Sequence, residues 1–191
     1  MAISTNPRET LFKKIYEGVS KKIKNCDSFF ENIITNKGNT QNSERITIQF
    51  IKDYLDENNM TYEEAGSQCS KDFRNISNIG LDIEIKKCDN RTIIFNDTCP
   101  NSDIWYIIFY TSKKRKNDVP HLFGINGYYF IYEDQWVNEY HKDINIIKQK
   151  YCLKKSEINK KRMKAYVRPN YSADLTDFIE NDYERIFKQS Y

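Results

Sequence analysis

Histidine is almost missing from this chain. Its two imidazoles, His121 and His141, have no partner at helical or metal-ligand spacing, so a histidine-built metal centre is not expected and both rings are read as surface or loop residues. Cys26, Cys69, Cys88, Cys99 and Cys152 are scattered without a CxxC pair, which argues against zinc, and their odd count argues against a complete disulfide framework. No apolar run approaches the roughly 20 residues of a membrane helix; the longest is Ile104–Tyr110. The opening MAISTNPRETLFKK lacks the apolar core of a signal peptide, so a soluble, cytoplasmic protein with reduced thiols is expected. An excess of one charge is lacking too: 30 Lys and Arg against 27 Asp and Glu leave +3, too little to identify a nucleic-acid binder, so placement matters more than total. There is no internal repeat, low-complexity linker or domain boundary, and residues 1–191 are read as one domain.

What is present fits a globular chain: 39% hydrophobic, 30% charged and an aromatic-rich 14%. Asn6, Pro7 and Glu9 have the spacing of a capped helix start, followed by Leu11, Ile15, Val19 and Ile23 on one face. A second helix is expected from Ser43 to about Glu57, burying Ile46, Phe50, Ile51 and Tyr54 or Leu55, and stopped by Asn58–Asn59. The centre reads as strands: Thr61–Glu64, Asp72–Ile76, a hairpin of Leu81–Lys87 with Arg91–Phe95, an all-buried Ile104–Tyr110, and Tyr128–Tyr132 after a Gly124–Gly127 turn. Helices are expected from Trp136 to Tyr151 and from Leu175 to Phe187.

Between Lys71 and Lys87 the chain reads KDFRNISNIGLDIEIKK. Alternation puts Leu81, Ile83 and Ile85 on one strand face and Asp82, Glu84 and Lys86 on the other. One reading is a half-buried edge strand with a wet, charged surface. The other is a metal site completed by Asp72. Phosphodiester hydrolysis needs an activated water and stabilisation of charge on the phosphate and the leaving oxygen. Two carboxylates can hold Mg²⁺, a hard cation, and a neighbouring lysine can orient the water or stabilise the developing charge. An acid followed by acid-x-lysine on adjacent strands answers that need. Asp82 shares the charged face and is read as solvated in preference to ligating.

Asp72 with Glu84-Ile85-Lys86 resembles the PD-(D/E)xK nuclease signature. The surrounding AGSQCSKDFRNISNIGLDIEIKK (Ala65 to Lys87) and FNDTCPNSDIWYIIFY (Phe95 to Tyr110) are similar to type II restriction endonucleases. Lys71 stands where the family has a proline. The resemblance implies an α/β (α+β), restriction-endonuclease-like core of αβββαβ type, a mixed sheet with helices on both sides. The N-terminal helices and the basic C-terminal segment would then be elaborations. It also implies Mg²⁺-dependent hydrolysis of double-stranded DNA at a short specific sequence, with Mn²⁺ as substitute, Asp72 and Glu84 as metal ligands and Lys86 assisting. Glu44 is the candidate for the glutamate that family members often add from the preceding helix, ahead of Glu63 and Glu64. One catalytic set cuts one strand at a time, so a double-strand cut at a palindrome points to a homodimer. A companion DNA methyltransferase acting on the same site is the other implied partner.

Ser67 and Gln68 are candidate phosphate contacts. Lys113, Lys114, Arg115 and Lys116 form one basic cluster, and LKKSEINKKRMKAYVR, containing Lys154, Lys155, Lys160, Lys161 and Arg168, another. Either is a solvated surface or a phosphate-neutralising one. Arg168 and Asn170 carry side chains that read base edges. Asn96 and Asp97 read as turn formers before Pro100. Two alternatives stay open: a structure-specific or repair nuclease of the same superfamily, and a catalytically silent DNA-binding module.

Overall fold

The computed structural model describes residues 6–34, 40–64, 71–96, 99–115, 117–132, 135–152, 167 and 170–191. Asn6 caps α1 (Pro7–Lys24) by accepting the Arg8 N–H at 3.1 Å. Glu9 does not close a capping box; its carboxylate pairs with Arg185. A short α2 (Phe29–Asn32) follows, then α3 (Thr40–Glu57), which starts three residues earlier than expected. Phe12, Ile15, Val19 and Ile23 of α1 meet Ile51 and Leu55 of α3 in one core. Ile46, expected inside, is 36% exposed, and Ser43 and Thr47 take the inward positions. The buried stripe of α3 thus changes from apolar to polar toward its N-terminus.

The strands are β1 (Glu63–Glu64), β2 (Phe73–Ile76), β3 (Leu81–Cys88), β4 (Thr92–Asn96), β5 (Ile104–Tyr110), β6 (His121–Asn126), β7 (Asn170–Asp174) and β8 (Phe187–Ser190). Six form a mixed sheet in the order β1-β2-β3-β5-β6-β8, with β3 and β5 parallel and the other pairs antiparallel. β5 is buried along its whole length, as its two-sided apolarity predicts. One face carries α1 and α3. The other carries α4 (Gln135–Tyr151), α5 (Thr176–Glu180) and a ribbon of β4 with β7. The class is therefore α+β, a mixed central sheet flanked by helices.

Several expectations need correction. β3 is no edge strand, and Leu81–Lys87 forms no hairpin with Arg91–Phe95. The side of β3 away from β2 is occupied by β5 through seven register pairs, from Asp82↔Ile104 to Cys88↔Tyr110. Arg91 draws the following chain elsewhere: its guanidinium holds Asp118 at 2.7 and 2.8 Å and Glu180 at 2.7 Å. β4 then pairs with β7, and this strand lies in the β3–β5 crossover where αβββαβ order has a helix. Tyr128–Tyr132 is not a strand; Asn126 caps a 3₁₀ turn over Gly127–Phe130. The strand is His121–Asn126, which runs through Gly124. A Cβ there would lie 2.8 Å from both the Phe12 and Tyr16 rings, so this glycine admits α1 against the sheet and makes no turn. His121 accordingly lies in the core, 5% exposed, with its Nδ1 3.1 Å from Ser190 Oγ. The expected helix from Leu175 to Phe187 stops at Glu180, because Phe187 is drawn into β8 and packs near Tyr16, ring centroids 5.5 Å apart.

Candidate functional site

Asp72 stands immediately before β2, and both its backbone and side chain are tied to β3. Its N–H donates to the Ile83 carbonyl at 3.1 Å, and its Oδ2 accepts the Ile85 N–H at 2.7 Å. The return from β2 to β3 needs left-handed backbone at Ser77, Asn78 and Gly80, with φ of 52°, 59° and 69°. Asp82 locks this turn by accepting the Asn75 N–H at 3.0 Å and an ion pair from Lys71. It is therefore engaged within the protein and not freely solvated. Lys71, in the family's proline position, serves that turn.

Glu84 and Lys86 project from the same face of β3, as alternation requires, and Lys86 Nζ donates to Glu84 Oε1. Asp82 and Lys86 on this face are half-buried, and Glu84 lies deeper. Glu84 is 8% exposed, and its Oε2 has no hydrogen-bond partner among the described residues. Burial pushes the Glu84 carboxyl up to about 7; Lys86 opposes the shift and the Asp72 charge adds to it. Burial likewise raises Asp72, outweighing the Ile85 N–H and Lys86, with Glu44 adding to the rise. Two carboxylates that resist ionisation therefore stand side by side with one lysine between them and neutrality.

Asp72, Glu84 and Lys86 line a cleft of about 510 Å³. The polar stretch of α3 forms one wall, with Ser43, Glu44 and Thr47. The outer face of β4, Thr92, Ile94 and Asn96, forms another. Lys114 and Asn170 stand at the rim, both exposed. Glu44 thus shares the cleft. Lys113 and Arg115 are exposed beside Lys114 but do not line the cleft. Ser67, Gln68, Asp97, Lys116, Lys154, Lys155, Lys160, Lys161 and Arg168 lie outside the described residues. Sequence reading missed Ser43 and Thr47, whose signal is a polar interruption in an amphipathic helix. It also missed Thr92 and Ile94, which sit two apart on a strand with Asn96.

A hard divalent cation fits this donor set. Glu84 is buried and Asp72 half-buried, one Glu84 oxygen lacks a partner among the described residues, and positive charge nearby would offset the cost of ionising both. Among the described residues no group of three or more His, Cys, Asp and Glu side chains is arranged to hold a metal ion, so the fit rests on this pair. No described helix is long and apolar enough to cross a membrane. Comparison with known proteins finds no matching family model, curated relative or solved structure.

Proposed function

We propose that the chain is a divalent-metal-dependent DNA endonuclease of the restriction type. One observation carries this reading: Asp72 joins the Glu84-Ile85-Lys86 strand segment on one wall of an open cleft. Asp72 and Glu84 would hold Mg²⁺, or Mn²⁺ in its place, as Mg²⁺ is commonly held by one or two carboxylates together with substrate phosphates. The ion supplies an activated water and a counter-charge for the phosphate. Asp72 keeps its orientation through the Ile85 N–H. Lys86 brings a cation with donors only, which stabilises the negative charge growing on the scissile phosphate. Lys114 at the rim neutralises a neighbouring phosphate, and Asn170 offers an amide to a base edge.

On this reading the protein works in the cytoplasm as a homodimer on DNA, with a methyltransferase protecting the same site. Incubating the purified protein with unmethylated plasmid and Mg²⁺, then mapping the ends, is the test. Discrete ends at one short sequence support the restriction reading. Nicks confined to branched or unpaired structures favour the repair-type nuclease instead. Absence of cleavage with every divalent metal, across many sequences and structures, removes both.

A further inference from the structure

Beyond the cleft, on the other side of the β4–β7 ribbon, the chain leaves large aromatic rings exposed. Trp136 is 60% and Tyr140 40% exposed at the start of α4, their centroids 6.3 Å apart. With Phe95, Phe130 and Tyr171 they line a groove of about 450 Å³. Its floor is fixed: Phe95 meets Phe130 edge-on at 5.1 Å, and Tyr171 meets Tyr140 edge-on at 5.8 Å. The His141 Nδ1 lies 2.8 Å from the Tyr171 hydroxyl and holds that ring from behind. Asn170 and Ser172 add polar groups to the lining.

The ribbon separates this groove from the cleft, and alternation along β4 makes the division. Thr92, Ile94 and Asn96 face the cleft, while Phe95 faces the groove. At the end of the ribbon, Asn170, register partner of Asn96, lines both cavities. We propose that the groove receives an unpaired nucleobase from the DNA strand lying in the cleft. This rests on the nuclease reading, because the cleft must first hold DNA. A base is a flat solute with an apolar face and a polar edge. Trp136 and Tyr140 offer ring faces to the first, and the Asn170 amide at the end of the ribbon offers donors and an acceptor to the second. A base leaving the stack beside the cleft passes Asn170 to reach the rings. The enzyme would therefore prefer duplexes in which one base is already unpaired, since these avoid the cost of unstacking.

The test compares two fluorescein-labelled duplexes of one sequence, fully paired or with a single unpaired base, in Ca²⁺ to suppress turnover. Base stacking contributes about 1–3 kcal/mol, so the unpaired-base duplex should bind about 5- to 150-fold more tightly. It should also quench tryptophan emission through Trp136, the other tryptophan, Trp105, being buried. Trp136→Ala should bring the affinity ratio to about one, whereas Trp136→Phe retains most of it; circular dichroism confirms that both variants fold. Equal affinity of the wild type for the two duplexes overturns the proposal, as does a preference that survives both Trp136→Ala and Tyr140→Ala. A protein that cuts plasmid without preference loses the groove and keeps the nuclease. One with a Trp136-dependent preference that cuts no DNA keeps the groove and loses the nuclease.

Discussion

Glu84→Gln should yield a protein that is more stable than the wild type and inactive. A carboxyl with a folded-state pKa above its unfolded value binds more protons folded than unfolded, so stability falls as pH rises between the two values. For Glu84 that window runs from 4.5 to about 7. At about 1.4 kcal/mol per pH unit, ionised Glu84 costs the fold about 3 kcal/mol by pH 8. Glutamine keeps the shape and stays neutral, removing the penalty. That cost is already net of the Lys86 ion pair, which opposes the rise. The net gain at pH 8 is about 3 kcal/mol, which for a chain of this length raises Tm by about 6–12 °C. Below pH 4.5 the two proteins should converge, because Glu84 is then protonated both folded and unfolded. Urea unfolding followed by circular dichroism at pH 4.5 and pH 8 measures both limbs. A Gln variant less stable than wild type at pH 8, or a difference that does not change with pH, refutes the placement of Glu84 as a charge held against its solvation.

Mg²⁺ and Mn²⁺ should each support cleavage, while Ca²⁺ should support binding with little turnover; full activity in excess EDTA would remove the metal from the mechanism. Replacing Lys113, Lys114 and Arg115 together by Ala should weaken binding to all sequences alike. It should also lower the slope of log affinity against log salt by about one for each phosphate no longer neutralised, and an unchanged slope makes the cluster an ordinary surface. Gly124→Ala should destabilise the fold by about 1–3 kcal/mol, because its Cβ meets the buried Phe12 and Tyr16 rings; an unchanged urea midpoint would contradict the close approach of α1 to β6.

The parts of the fold that could be read from sequence are those set by local periodicity. α1 announces itself by Asn6, Pro7 and its apolar stripe, β5 by two-sided apolarity, and the β3 site face by strict alternation. The misread elements are set by contacts distant in sequence. Nothing near Arg91 indicates that Asp118 and Glu180 will hold it, so the following strand looks like half of a hairpin. Gly124 has the composition of a turn, and only the rings of α1 explain it as a strand residue. Phe187 fits a helical stripe until β6 offers it an edge. At the site, alternation placed Glu84 and Lys86 together, but the burial of Glu84 follows from the elements packed around that face, α3 and β4, which the charged face alone does not disclose. Asp82 has the same spacing as a ligand, yet Lys71 and the Asn75 N–H engage it.

Whether Asp72, Glu84 and Lys86 cut DNA with a divalent metal is decided by time courses of plasmid cleavage in Mg²⁺ for wild type and Lys86→Ala, with circular dichroism on both. The wild type should cleave, and a normally folded Lys86→Ala should lose at least about 100-fold in rate, the cost of removing one aimed stabiliser of transition-state charge. Cleavage at the wild-type rate by folded Lys86→Ala would contradict that assignment.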